Sequence, residues 1–194
     1  TLETRDDRTL FFDLLPFHFT TAGDLSLRIK LFTVPGQVIH GSTRRLVLQG
    51  ADGVAFIADS QVSESDANRG AFLDLRENLR ANGVDLRNLP LVIQFNKRDL
   101  PEVRTNAEIA ELAQQGREPV YTAVATRGEG VVETFLGLLS LTWSRLDAEH
   151  GFARKFNVNG DAFIASLSRQ LGIEGDPQRL IDSALGGDPR SSPP

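Results

Sequence analysis

Two short apolar runs of strand type constrain the fold of this chain more than any other feature. Val54-Ala55-Phe56-Ile57-Ala58 and Leu91-Val92-Ile93-Gln94-Phe95 lack the alternation of a sheet with one wet face. Such continuous runs belong to strands covered on both sides. Between them, residues 63–82 place Phe72, Leu75 and Leu79 at helical spacing, and Asn82-Gly83 supplies a stop. The order then repeats. Residues 105–115 give a shorter helix with Ile109 and Leu112 inward, and residues 119–124 another strand. Residues 130–146 give a long helix with Val131, Phe135, Leu138, Leu139 and a core Trp143 inward. Strand alternating with helix calls for a parallel sheet with right-handed crossovers, an α/β fold with helices on both faces.

The preceding residues read differently. Residues 1–8 are charged and aperiodic, a loop. Residues 9–19 turn aromatic and apolar, with Pro16 marking an edge strand, and residues 20–24 make a turn. Residues 25–34 alternate Leu25, Leu27, Ile29 and Leu31 against Ser26, Arg28 and Lys30. The two stretches predict an antiparallel hairpin. Pro35-Gly36-Gln37 breaks the second strand, and residues 41–48 carry a short helical pattern with Arg44 and Arg45 outward. After His150 the composition shifts. Residues 151–194 read as a C-terminal extension: a helix over 161–171 through Phe163, Ile164, Leu167 and Leu171, a second over 177–185, then a disordered tail.

Net charge is -5 and Lys and Arg form no run, so neither nucleic acid nor an anionic membrane surface is an expected partner. No stretch is long and apolar enough to span a bilayer, and no cysteine is present for disulfides, thiolate metal sites or lipid anchors. A cytoplasmic protein fits these features. His18, His40 and His150 are scattered, which disfavours metal-dependent hydrolysis on histidine ligands.

The second apolar run ends in Asn96-Lys97-Arg98-Asp99, the Asn-Lys-x-Asp motif of guanine specificity. Guanine offers a ring N–H beside an exocyclic amine, and one carboxylate accepts from both in a charge-assisted pair. Asp99 is that carboxylate. The Asn96 amide can reach the other edge of the base or tie neighbouring loops together. The Lys97 stem can lie along the ring face with its ammonium in water. Ligands of open α/β sheets bind beyond the carboxyl ends of strands, where Asn96 stands. The plainer reading of these residues is a polar turn closed by Pro101.

Taken in order, Asp7-Arg8-Thr9-Leu10-Phe11-Phe12-Asp13, Thr33-Val34-Pro35-Gly36-Gln37, Ala58-Asp59-Ser60 and Asn96-Lys97-Arg98-Asp99 resemble the motifs of the MglA-type bacterial small GTPases. The likeness runs from residue 4 to residue 146. It implies the P-loop fold, a doubly wound and mostly parallel sheet with one antiparallel hairpin strand. It also implies a GTP-binding and GTP-hydrolysing switch of cell polarity or motility, with GTP/GDP and Mg²⁺ as cofactors. By resemblance, Thr9 lies in the first switch and ligates Mg²⁺ beside the γ-phosphate, and Arg8 is an intrinsic arginine finger. Gln37 orients the attacking water, and the Gly36 N–H senses the γ-phosphate. Ala123, Val124 and Ala125 match the loop whose backbone N–H groups support guanine recognition. The implied partner is a homodimeric Roadblock-type activator, MglB-like. Thr33 stands where Ras and Arf relatives usually place an aspartate, a feature the MglA branch shares.

No Gly-x-x-x-x-Gly-Lys-[Ser/Thr] phosphate loop occurs between residues 1 and 194. In the family that loop and the first strand come before the position of Thr1, and the strand lies centrally, between those of residues 25–34 and 54–58. A domain without it would bury two unpaired strand edges, at about 1–3 kcal/mol for each unsatisfied group. The expectation is therefore a natural N-terminal segment ahead of Thr1, in keeping with the absence of methionine. The alternative is a non-catalytic pseudo-GTPase module that docks partners through the same switch surfaces. On the first reading, residues 1–194 alone should bind no nucleotide tightly. Calorimetry with GTP and Mg²⁺ checks this, and micromolar or tighter binding would count against it.

Overall fold

The computed structural model describes residues 12–20, 26–34 and 41–186, with the backbone alone for 12–20 and 41–44. The predicted hairpin is present: β1 (Phe12–Thr20) pairs antiparallel with β2 (Ser26–Thr33). Its register slips between Leu14 and Phe17, at the Pro16 that cannot donate to the ladder. Along β2, Leu27, Ile29 and Leu31 are half-buried while Ser26, Arg28 and Lys30 are exposed. Helix α1 (Gly41–Leu48) follows.

From residue 54 onward the chain builds a parallel sheet in the order β3 (Val54–Asp59), β4 (Leu91–Asn96), β5 (Val120–Thr122). The connections are α2 (Ser65–Ala81) and α3 (Asn106–Gln115), and α4 (Val131–His150) returns after β5. Both faces are covered. Val54 and Phe56 pack toward Leu75 and Leu79 of α2, whereas Ala55 packs with Leu138 and Leu141 of α4. This is the expected α/β architecture. The central strand β4 buries Leu91, Val92 and Gln94. Its buried polar side chain is satisfied: Gln94 Nε2 donates to Thr134 Oγ1 at 2.7 Å, which holds α4 against β4.

Strand β3 departs from the double coverage its sequence predicts, for Ile57 is 51% exposed. The reason is position. Val54 N–H donates to Pro90 O and Ser60 N–H to Asn96 O, both at 2.9 Å, so alternate residues of β3 face β4. The backbone groups of Ala55, Ile57 and Asp59 point to the other edge, where no strand pairs with β3 among the described residues, so no neighbouring strand's side chains flank Ile57 there. Asp59 alone is closed there: its N–H donates to Asn68 Oδ1 at 3.0 Å and its C=O accepts from Asn68 Nδ2 at 2.8 Å. Among the described residues strand β2 likewise pairs only with β1.

Two further expectations need correction. Leu112 is 41% exposed, because the buried face of α3 centres on Ile109 and Ala113. Val131 is also largely exposed, being the first residue of α4 and lying past the strand ends. The helix boundary at Thr105 is sharp for a local reason. Thr105 Oγ1 accepts from Glu108 N–H, and Glu108 Oε2 accepts from Thr105 N–H, a reciprocal cap.

Residues 151–186 form three helices, α5 (Phe152–Phe156), α6 (Gly160–Gln170) and α7 (Pro177–Ile181). The first was not legible in the sequence; the tail beyond residue 186 lies outside the described residues. They pack on α4. Trp143 stacks on Phe163 with ring centroids 4.4 Å apart, among Leu136, Leu139, Val158, Ile164, Leu167 and Ile181. The extension also reaches the sheet. Buried Tyr121 of β5 donates through Oη to Ile181 O at 3.0 Å, and Leu185 exchanges two backbone hydrogen bonds with Val120, at 2.7 and 3.1 Å. Among the described residues no helix is long and apolar enough to cross a membrane.

Gly137 of α4 leaves the space that Tyr121 fills: a Cβ there would lie 2.1 Å from Tyr121 Oη. In an open helix Gly→Ala stabilises by up to about 1 kcal/mol. Here overpacking, typically about 1–3 kcal/mol, opposes it. Gly137→Ala should therefore lower stability, read as a lower urea midpoint with an unchanged m-value.

Candidate functional site

Strands β4 and β5 end side by side, and one atom ties the loops that leave them. Asn96 Oδ1 accepts the N–H of Lys97 at 2.7 Å and the N–H of Ala125 at 3.0 Å. Of the two roles open to Asn96, the tie between loops is thus the one seen. The backbone adds to it: Ala123 N–H donates to Phe95 O at 2.8 Å, and Arg98 N–H to Ala123 O at 3.1 Å. Val124 N–H donates to Glu129 O at 3.0 Å. The N–H groups of Ala123, Val124 and Ala125 are therefore all donated within the protein. They shape the loop.

Gly130 closes this loop at φ 74°, a conformation that side chains strain to adopt, and a Cβ there would stand 2.0 Å from Thr122 O. No other residue type fits. Its C=O accepts from Thr134 Oγ1 at 2.6 Å, so the start of α4, the end of β5 and Gln94 of β4 meet at one point.

Arg98 and Asp99 face opposite demands. The Arg98 guanidinium donates to Arg104 O and, at 2.8 Å, to Asn106 Oδ1, which anchors the turn to the start of α3. The Asp99 side chain is exposed and has no hydrogen-bond or ion-pair partner among the described residues. An unpaired carboxylate on an anchored turn is a ready acceptor for two adjacent N–H donors.

Lys97 departs from the expectation of an ammonium left in water. Its backbone has φ 63°, the left-handed region, and its Nζ lies 2.6 Å from Asp59 Oδ2. The ammonium side chain is 55% exposed and the carboxylate only 15%. Asp59 Oδ1 also accepts from Gln61 N–H at 3.0 Å. Burial raises the Asp59 pKa, but the hydrogen bonds from Lys97 and Gln61 outweigh it and hold the carboxyl below its ordinary range. The same hydrogen bond raises the pKa of Lys97. Sequence reading placed Asp59 in a motif without giving it a task. Its register opposite Asn96 was the signal, and only pairing of β3 with β4 makes that visible.

The arrangement offers a lone carboxylate, a lysine stem and two interlocked loops beyond the carboxyl ends of a parallel sheet. Over 145 residues the chain is 43% identical to the mutual gliding-motility protein MglA of Myxococcus xanthus (strain DK1622), covering 75% of this chain and 74% of the relative. The chain belongs to the MglA-type small GTPases. No family model matches it. Of the residues the resemblance assigns to an MglA-type site, Asn96, Lys97, Asp99, Ala123, Val124 and Ala125 are brought together. Arg8, Thr9, Gly36 and Gln37 lie outside the described residues. So does the assigned Mg²⁺ ligand, Thr9, and among the described residues no group of three His, Asp or Glu side chains could hold a metal ion. Among the described residues, the Asp99 carboxylate is the group of the site that offers an acceptor to two adjacent N–H donors.

Replacing Asp99 by Asn keeps the shape of the turn but leaves one acceptor where two donors must be met. The full-length Asp99→Asn protein should lose GDP affinity by roughly tenfold or more, the cost of truncating a charged hydrogen bond being about 1.5–3 kcal/mol. Titration with a fluorescent GDP analogue measures it. Equal affinity in variant and parent would remove guanine recognition from Asp99.

Proposed function

We propose that this MglA-type protein is a switch that binds GTP and GDP, hydrolyses GTP, and regulates gliding motility or cell polarity. The observation that carries the reading is the exposed Asp99 carboxylate, without a partner among the described residues, on the turn after β4 beside the loop tied by Asn96. Support also comes from the name of the relative, a mutual gliding-motility protein. In this reading Asp99 accepts the two guanine donors, the Lys97 stem covers one face of the base, and residues 123–125 wall its far edge.

The chemical step falls to the two switch stretches. We assign Arg8 to charge that builds on the γ-phosphate oxygens in the transition state, and Gln37 to orienting the water that attacks. Gly36 offers its N–H to the γ-phosphate, so this stretch follows the presence or loss of that group. Thr9 is assigned to Mg²⁺, whose chemistry is to neutralise charge between the phosphates. A homodimeric Roadblock-type activator, MglB-like, is the partner we assign to the GTP-bound form.

Groups that act in the transition state leave ground-state affinity largely unchanged when removed. In the full-length protein, Arg8→Ala and Gln37→Leu should bind GTP nearly as the parent does. Single-turnover hydrolysis should fall steeply, since a fully engaged arginine is worth about 10³- to 10⁵-fold. Quenched-flow assays with and without the activator read this. Parent-like hydrolysis by both variants would instead favour an interaction module that docks partners without chemistry.

A further inference from the structure

Lys97 carries two features that the function assigned to it does not require. The first is its backbone: φ 63° in a residue with a Cβ is strained and persists only where the surroundings over-determine it. Here they do. Its N–H donates to Asn96 Oδ1 at 2.7 Å, its C=O accepts from Leu100 N–H at 3.1 Å, and its ammonium is held by Asp59. The second is the company Asp59 keeps. An ordinary surface ion pair has two mobile ends and contributes little. Asp59 has none of that mobility: Asn68 of α2 brackets its backbone N–H and C=O, and Gln61 N–H fills its second carboxylate oxygen. One end of the pair is a fixed post, and the other is a long side chain in half-open solvent.

A lysine stem packs on an aromatic ring usefully only if it is already ordered, because immobilising such a side chain on binding costs rotamer entropy. We propose that Asp59 is a positioning residue of the base site. It fixes the Lys97 side chain in place before the base arrives, and through Asn68 it couples that placement to α2. This inference rests on the guanine-nucleotide reading of the site.

The test is a double-mutant cycle on GDP affinity in the full-length protein, with the variants Asp59→Asn, Lys97→Met and both together. Asp59→Asn keeps an acceptor for Gln61 and removes the charge that holds Lys97. Asp59→Asn should weaken GDP binding by about tenfold, and should weaken it no further once Lys97→Met is present. A structural role would give the same loss in both backgrounds and would overturn the assignment. Amine labelling read by mass spectrometry supplies a measurement that needs no nucleotide. Lys97 should label more slowly than exposed Lys155 in the parent, and Asp59→Asn should abolish that protection. Should Asp59→Asn fail to fold, Asp59→Glu replaces it, with an intermediate loss of affinity that again vanishes in the Lys97→Met background. If the parent binds GDP and Asp59→Asn binds it equally well, the positioning role falls while the base site stands. A full-length parent that binds no GDP overturns the base-site reading and this assignment with it.

Discussion

Asn96 Oδ1 accepts two backbone N–H groups from segments far apart in the chain, and the candidate site depends on that oxygen. A carboxamide oxygen has two lone pairs, and both are committed here. One turns the chain back on itself so that Lys97 can hold its left-handed backbone; the other draws the loop after β5 against the loop after β4. Aspartate at this position would keep the acceptors and bring a charge beside a half-exposed loop. An apolar residue would leave two donors without partners. The adjacent backbone bonds follow from the same approach: Arg98 N–H meets Ala123 O only because the two loops are already drawn together.

The structure separates what holds the site from what the site offers. Arg98, at the variable place in the motif, is an anchor on the start of α3. Gln94, Thr134 and Gly130 anchor the start of α4. With those supports satisfied internally, the Asp99 carboxylate is the group that stays without an internal partner among the described residues of the two loops. Such a division suits recognition: a rigid frame lowers the entropy lost on binding, and an acceptor held out toward a ligand rejects those that lack the matching donors.

Much of this could be read from residue order. Helical spacing in residues 63–82 and 130–146, the alternation of β2 and the apolar run of β4 rest on local periodicity, and the structure keeps them. The Asn-Lys-x-Asp stretch was legible because its chemistry is contained in four adjacent residues. What escaped was whatever needed a second strand or helix to be meaningful. Leu112 and Ala113 are neighbours on α3, and only the rest of the fold decides which of them turns inward. Ile57 belongs to a run that looks doubly covered, yet among the described residues its strand is paired on one edge alone. Asp59 meets Lys97 across 38 residues of sequence, a separation at which no local pattern can act. Helix α5 was missed because five residues span too little of the helical period to stand out.

The bond from Tyr121 Oη to Ile181 O spans 60 residues, and Leu185 pairs with Val120 just beyond it. A chain made from its N-terminus therefore completes the contacts of β5 only after residue 185 is made, although β5 itself comes more than 60 residues earlier. During synthesis the loop of residues 123–125 emerges well before the segment that steadies the strand leading into it. Closing so long a connection is entropically slow compared with forming the helices on either side. The candidate site would thus mature only once α7 has left the ribosome. Nascent chains still tethered short of that point would carry every residue of the Asn-Lys-x-Asp turn without the finished wall beside it.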